Sequence, residues 1–547
     1  MRTFFLFIIL LITGSNLSYG QTYSEVLGRP TDSAITVSIL FDQAVSLYVE
    51  YGSVSGVYPS VTPTITNVAN TPDEIDITNL SPNTKYYYRT RYKATGSGTY
   101  SASVEHSFHT QRAAGSSFTF TVEADEHLYD KKGVRNMYKI SLANEAKDNP
   151  DFMIDMGDIF GDDHTPTTTT SADMNALHLD YRQYLGAICP SVPLYLCIGN
   201  HEGEKDYYLH QTPPNNIAVY GTLWRKFYYL NPEPNNFYSG NTDVESYGIG
   251  HPENYYSWTW GNALFVVMDV YRYDSDTAVK PEGWTWTLGF PQYTWLKNTL
   301  ENSTAKYKFV FAHHTRGEGR GGVATAKYFE WGGCEQNGNN TFATNRPGWA
   351  KPIHQLFHDN GVNIFFQGHD HLFAHEVLDS VTYQEVPMPS DSTYQIGMLA
   401  NASAYVSDTI GGTGHLRVTV NQACVKVDFV RAYLPADTLS GVHHNGEVAF
   451  SYTIGDCATL GVDNIAEKTI LKVYPNPATD KINIDFNKIS SKQNPVVYVY
   501  DLQGQLLIQQ QITQERTVLN ISKLVKGMYV VKVINDNNTS VSKFVKQ

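Results

Sequence analysis

Three rhythms of hydrophobic and polar residues succeed one another along the chain. From Tyr23 to Arg112 apolar and polar positions alternate in short runs such as AITVSILF, SLYVEYG, YYYRTRY and VEHSFHT, separated by Gly, Pro, Asn and Ser. That rhythm predicts a β-sandwich. From about Ser116 to Pro435 the continuous apolar runs FTFTVEA, DFMIDM, VPLYLCI, KYKFVFA and VNIFFQ predict buried strands. They alternate with amphipathic segments of helical period, MYKISLANEAK, ADMNALHLDYRQYLGA, YTWLKNTLEN and PIHQLFHDNG, which predicts an α/β domain. Two long polar stretches, TPTTTTSAD after His164 and the Tyr/Asn/Pro-rich segment from Gly203 to Tyr256, read as lids or rims. Past an acidic linker from Gly461 to Glu467, the runs INIDF, VVYVYD, QLLIQQQ, GMYVVKV and SVSKFVKQ predict a small second β-sandwich. The predicted architecture is multidomain: an N-terminal β-sandwich over 23–112, a central α/β sandwich over 116–460 and a small C-terminal β-sandwich over 468–547.

The first twenty residues have a different pattern. Arg2, the apolar core FFLFIILLI and Ser18-Tyr19-Gly20 before Gln21 predict an export signal over 1–20. The apolar core is short for a membrane span, so no transmembrane segment is expected after its removal. Across 547 residues, 41% hydrophobic and 17% charged side chains describe globular domains. With 40 basic against 54 acidic residues the net charge is −14, which argues against nucleic acid as a stable partner and against anionic membranes. Five cysteines, Cys189, Cys197, Cys334, Cys424 and Cys457, show no Cys-x-x-Cys spacing, so a thiolate zinc site is not expected. Export permits disulfides, and Cys424 with Cys457 is the pairing expected in the strand-rich end of the central domain. Cys197 reads as a buried thiol.

Chemistry concentrates where the five central apolar runs end. Asp125-Glu126-His127, Gly157-Asp158, Gly199-Asn200-His201-Glu202, Ala312-His313-His314 and Gly368-His369-Asp370-His371 each follow one predicted strand. Open α/β sheets place their binding crevices at such carboxyl ends. Asp125, His127, Asp158, Asn200, His313, His369 and His371 are carboxylate, imidazole and amide oxygen donors without competing thiolate, a set suited to iron, zinc or manganese. A carboxylate among them can bridge two ions.

These five clusters, in this order, resemble those of the calcineurin-like metallophosphoesterases. The preceding sandwich makes the layout similar to that of purple acid phosphatases. The resemblance implies two metal ions, Fe, Zn or Mn. One would be held by Asp125, His127, Asp158 and His371 and the other by Asp158, Asn200, His313 and His369, with Asp158 bridging and His314 the alternative to His313. It implies attack on phosphorus by hydroxide generated on the metals, with His201 as the catalytic proton donor to the leaving group. Glu202, Asp370 and His375 read as supporting residues. His164 and Arg316 are loop groups that could contact a substrate phosphate, and Tyr271, Arg272, Trp224 and Tyr255 could form a specificity rim. Two departures from the coloured enzymes stand out: Gly161 occupies the place of their iron-binding tyrosine, and His127 is present where they lack a histidine. An iron–tyrosinate centre is therefore not expected.

Two further segments carry resemblances. Leu80-Ser81-Pro82-Asn83-Thr84-Lys85-Tyr86-Tyr87-Tyr88 is similar to the fibronectin type III corner, in which a Tyr closes a loop, and this sandwich reads as a spacer or structural support, the alternative being a substrate wall or carbohydrate-binding module. Val473-Tyr474-Pro475-Asn476-Pro477, Asp501-Leu502-Gln503-Gly504, Gly527-Met528-Tyr529 and Lys543-Phe544-Val545-Lys546 resemble the sorting domain of type IX secretion. That implies the type IX machinery as a partner, and release or attachment at the cell surface. The expected function is a secreted dinuclear-metal phosphoric ester hydrolase, a phosphomonoesterase acting on extracellular organic phosphate esters. The alternatives are a phosphodiesterase or nucleotidase of the same fold and, from another class, a surface-binding or adhesive protein with an inactive scaffold domain.

Overall fold

The computed structural model describes residues 22–129, 133–160, 165–274, 277–315, 320–396, 404–405, 407–457, 472–485, 495–501, 505–512, 516–535 and 538–547. The expected export segment, Gly161, His164, Arg316 and the linker from Gly461 to Glu467 lie outside the described residues. The chain forms two compact units, Met1–Cys457 and Ala458–Gln547. Among the described residues no helix is long and apolar enough to cross a membrane.

The first unit begins with the sandwich. One sheet joins strands Tyr23–Gly28, Ile35–Phe41 and Asp73–Ile77; the other is built on Val45–Gly52 paired with Lys85–Ala94. Val37, Ile39, Phe41, Leu47, Val49 and Tyr88 fill the space between them. The Tyr86 hydroxyl accepts the Ser81 N–H at 2.9 Å and closes the corner. Strand Ile35–Phe41 is buried along its whole length because its other face meets the central domain. There the Arg182 guanidinium donates to Ser38 Oγ (3.1 Å) and Ser24 Oγ (3.0 Å). Leu27 N–H also donates to Cys189 O at 3.0 Å. The sandwich is thus packed as a buttress rather than tethered as a spacer.

The central domain has four layers. Its first sheet runs in the order Leu194–Leu196, Phe152–Asp155, Phe118–Glu123, Gly414–Val420, Cys424–Arg431, Val448–Gly455, the first three strands being parallel. The second has Ala263–Val267, Tyr307–Phe311, Ile364–Gln367 and Val381–Glu385 as its parallel centre. Period-two alternation sends Phe118, Phe120, Val122, Phe152 and Ile154 into the gap between the sheets, against Phe265, Phe309, Phe311 and Phe366. The rings of Phe311 and Phe366 stack at 4.8 Å, a geometry that adds roughly 0.5–1.5 kcal/mol beyond burial. Helices Arg135–Lys147 and Ser171–Leu185 cover the outer face of the first sheet through Tyr138, Leu142, Tyr181 and Leu185. Helices Gly289–Asn302 and Ile353–Asp359 cover the second through Leu296, Leu300, Leu356 and Phe357. All four were legible as amphipathic segments.

The Gly203–Tyr256 stretch departs from the expectation of an open lid. It contains the helix Ile217–Tyr228, whose Asn216 cap accepts the Val219 N–H at 3.0 Å. Gly221, Arg225 and Tyr228 of this helix are buried. Its frequent Tyr, Asn and Pro neighbours hide an apolar face with the proper period. The TPTTTTSAD stretch ends similarly, in the capping box of Thr170 and Asp173 that opens helix Ser171–Leu185.

Cys424 and Cys457 form a disulfide, as expected, while Cys189, Cys197 and Cys334 are free thiols. The bridge spans a sequence separation of 33 residues, for which loop entropy predicts about 3–4 kcal/mol of stabilisation. Strand Gly414–Val420 pairs its Val420 with Phe118, at the amino end of the strand leading to the candidate site, and Cys424 follows there. Reduction, or replacement of both cysteines by Ser, is expected to lower the unfolding midpoint of the first unit. Initial turnover at low temperature should be unchanged. An unchanged midpoint would remove the bridge from the account.

The second unit has two sheets, Lys472–Tyr474, Lys481–Asp485 and Arg516–Asn520, and Leu506–Gln511, Val496–Tyr500, Gly527–Asn535 and Asn538–Lys546. Ile482, Ile484, Val497, Val499, Leu519, Val531 and Phe544 form its core.

Candidate metal centre

Five parallel strands from the two facing sheets end at one place. Phe118–Glu123 leads to Asp125 and His127, Phe152–Asp155 to Asp158, Leu194–Leu196 to Asn200 and His201, Tyr307–Phe311 to His313, and Ile364–Gln367 to His369 and His371. The loops turn abruptly. Asp125, His127, Asp158, His369 and His371 all have positive φ, between 43° and 76°. Left-handed backbone at a residue with a Cβ costs on the order of 1–2 kcal/mol, and such strain gathers at functional sites. Close approach between loops requires two glycines. A Cβ on Gly157, itself at φ 94°, would lie 2.3 Å from Gly199 N, and one on Gly368 would lie 2.6 Å from Asp125 Oδ2.

The side chains converge in three triplets, Asp125–His127–His371, Asp158–His313–His369 and His127–Asp158–His201, each offering ligand atoms within 4.8 Å of one another. Asp158 Oδ2 lies 3.1 Å from His313 Nε2, 3.7 Å from His127 Nε2 and 3.8 Å from His201 Nε2. Asp125 Oδ1 lies 3.4 Å from His371 Nε2 and 3.6 Å from His127 Nε2, and those two nitrogens are 3.0 Å apart. Of the sequence-predicted donors, Asp125, His127, Asp158, Asn200, His313, His369 and His371 are all buried. His201 stands with them at the edge, its side chain 12% exposed.

Asp125, Asp158 and His313 are each aimed by a bond made with their other atom. Asp125 Oδ2 accepts the His369 N–H at 2.8 Å, and Asp158 Oδ1 accepts the His201 N–H at 2.7 Å. His313 Nδ1 lies 2.8 Å from Met156 O, so its Nδ1–H donates there and Nε2 is turned to the site. Of the atoms left over, Asn200 Oδ1 is buried without a hydrogen-bond partner, while Asp125 Oδ1, Asp158 Oδ2 and His313 Nε2 are buried against one another and the neighbouring imidazoles. Buried orphans of this kind are expensive unless something else satisfies them, and a divalent cation fits this nitrogen and oxygen donor set.

The electrostatics agree. Burial opposes ionisation of Asp125, but His313 and His371 outweigh it and hold the carboxyl well below the usual range. Asp158 is lowered likewise, against burial, by His313 and His201. His313 is raised to about 9, because Asp158 and Asp125 outweigh burial, while burial and then His314 push His369 well down. His314 belongs to none of the triplets. Its ring packs 5.2 Å from that of His369.

Supporting residues are sharply placed. The Glu202 carboxylate accepts four N–H groups: Ile159 (2.8 Å) and Phe160 (3.1 Å) on Oε1, Asp158 (3.0 Å) and Gly199 (2.6 Å) on Oε2. Asp370 turns away from the centre and accepts from Arg320 Nη1 and Gly321 N–H, each at 2.7 Å, and from the Tyr405 hydroxyl at 2.6 Å. Arg320 and Tyr405 had no signal of their own in the sequence. The aromatic rim is not assembled as expected. Arg272 is buried and held by Glu245 and Thr222. Trp224 packs on its own helix and donates to Ser171, and Tyr255 packs against Trp295. Tyr271 alone borders the centre, its ring 6.2 Å from that of His313. His375 pairs with Asp408 at 3.6 Å, apart from the donor set.

Residues 118–373 match the family described as calcineurin-like phosphoesterase, and residues 472–547 match the secretion system C-terminal sorting domain. The chain therefore carries the domain of a metal-dependent phosphoesterase, a hydrolase, followed by a type IX sorting domain that marks it for export and for secretion or attachment at the cell surface. Among solved structures, a purple acid phosphatase isolated from yellow lupin (Lupinus luteus) seeds is similar, with 15% identity, 81% of this chain and 76% of that one covered, and a TM-score of 0.54. A structure of PhoD is also similar, with 17% identity, 79% and 90% covered, and a TM-score of 0.53. At these identities the likeness is one of fold. No curated protein matches the chain.

Proposed function

We propose that the exported protein hydrolyses phosphate monoesters at a centre for two metal ions. The observation that carries this reading is Asp158 Oδ2, a buried oxygen set among the ring nitrogens of His313, His127 and His201 at 3.1, 3.7 and 3.8 Å. Asp125, His127, Asp158 and His371 would hold one ion and Asp158, Asn200, His313 and His369 the other. Bound there, the ions supply Lewis acidity toward the phosphoryl oxygens and make water a nucleophile near neutral pH. The chain's own groups do the rest. Asp158 and Asp125 supply the fixed negative charge, and the bond to Met156 O keeps His313 Nε2 turned inward. His201, at the exposed edge, can donate a proton to the departing alkoxide. The monoester choice follows the purple acid phosphatase-like layout.

The test is a parallel assay of alkyl and aryl monoesters, diesters and nucleotides with manganese, iron and zinc. Metal-dependent turnover, fastest on monoesters, is expected; absence of hydrolysis with every metal would sink the reading. His201→Ala is expected to retain metal and lose about 10²–10⁴ in rate, more for alkyl than for nitrophenyl leaving groups. An equal loss for both would remove His201 as the proton donor.

A further inference from the structure

Behind the metal centre, a second group of acids is sealed beneath helix Arg135–Lys147. Parallel pairing sets Glu123 directly beside Asp155. The alternation that sends Val122 and Ile154 into the inter-sheet core turns both acids to the helix side. Glu126 reaches the same place from the loop between Asp125 and His127. One carboxylate oxygen from each of the three lies within 4.8 Å of the others, and all three residues are fully buried. Glu145, from the helix, adjoins Glu123.

Among the described residues no ion pair reaches Glu123, Glu126, Asp155 or Glu145. Two of the acids are oriented by single bonds: Glu123 Oε1 accepts from the Tyr138 hydroxyl at 2.9 Å and Asp155 Oδ1 from the Gly157 N–H at 2.9 Å. Glu123 also meets the Glu145 carboxyl, whereas Asp155 Oδ2 and both oxygens of Glu126 are buried without a hydrogen-bond partner. A similar division, one oxygen bonded to a backbone N–H and the other turned into the cluster, marks Asp125 and Asp158 in the metal centre. Like charges set side by side on a sheet are destabilising, and a buried carboxyl group must be neutralised by a proton, a paired cation or a bound metal.

We propose that Glu123, Glu126 and Asp155 bind a hard divalent cation of the calcium class, enclosed in the fold and separate from the catalytic ions. The donors are all oxygen, which suits a hard cation. Because the residues are sealed, the shell must come largely from carboxylate oxygens; magnesium tends to keep several waters, whereas calcium accepts bidentate carboxylates and irregular geometry. The ion's role is to position: Glu126 lies between two donors of the catalytic centre, so anchoring its side chain holds the loop at the left-handed backbone of Asp125 and His127.

Elemental analysis of the purified full chain tests this without any variant. Calcium is expected at about one equivalent per chain in addition to the catalytic metals, since the proposed site has one ion. Refolding after denaturation in strong chelator is expected to require added calcium even when manganese or zinc is supplied. Terbium offered in place of calcium is expected to give tyrosine-sensitised emission, because Tyr138 bonds Glu123 directly. Glu126→Gln, with Asp155→Asn as the second variant, is expected to lose the calcium and the terbium signal while still binding catalytic metal. Wild-type protein that holds no calcium and refolds without it would overturn the proposal, as would calcium content and terbium emission unchanged in a folded variant. Acids that are merely protonated would give the first of these results.

Discussion

Asp158→Asn is expected to cut turnover by roughly three orders of magnitude or more and to reduce the bound catalytic metal. Asn keeps an acceptor for the His201 N–H, which Asp158 Oδ1 takes at 2.7 Å, so the loop geometry should survive. What is lost is the negative charge on the oxygen between His313, His127 and His201. Under the two-ion proposal that oxygen is shared. Losing metal polarisation forfeits several kcal/mol of transition-state stabilisation, and each ~1.4 kcal/mol is tenfold in rate. Steady-state kinetics with excess metal, together with metal analysis of the variant, decide the matter. Full turnover with undiminished metal would refute the bridging role. Intact metal with lost turnover would show that the Asp158 charge acts on the reaction rather than on ion retention.

The donors of this centre were legible because each sits at the end of a strand whose apolar run is unmistakable. FTFTVEA, DFMIDM, VPLYLCI, KYKFVFA and VNIFFQ become the strands 118–123, 152–155, 194–196, 307–311 and 364–367. Contacts between distant segments were another matter. Glu202 reads as a neighbour of His201, and nothing local reveals that it binds the backbone of residues more than forty positions earlier. Glu126 stands in the first cluster without an assigned role, yet it turns inward while Asp125 and His127 face the metal centre. Helix Ile217–Tyr228 was concealed by the turn-forming composition around it, although Ile217, Val219 and Tyr228 are buried. Local rhythm thus announces elements and their ends, while the bonds that hold loops in strained conformations depend on tertiary proximity.

Those bonds make Glu202→Gln the substitution expected to affect stability most. The side chain is nearly isosteric, and the carboxylate it replaces faces only donors. One oxygen accepts Ile159 and Phe160 N–H, the other Asp158 and Gly199 N–H. An amide can turn its oxygen toward one pair only, and its NH₂ then confronts the other. At least two buried N–H groups lose their acceptor, at about 1–3 kcal/mol each, or about 2–6 kcal/mol together. The loop that releases them holds Asp158 at φ 62° and lies against Gly199, where the Gly157 Cα has no room for a Cβ. Relaxation would therefore move Asp158 and weaken the catalytic centre. Thermal unfolding is expected to show a lower midpoint for the first unit and none for the C-terminal unit, which is a separate compact body. Turnover should fall even at temperatures where the variant remains folded, and excess metal should restore it only in part. A variant with wild-type midpoint and turnover would mean that the four bonds do not hold the loop, leaving the strain at Asp158 to be balanced by ion binding alone.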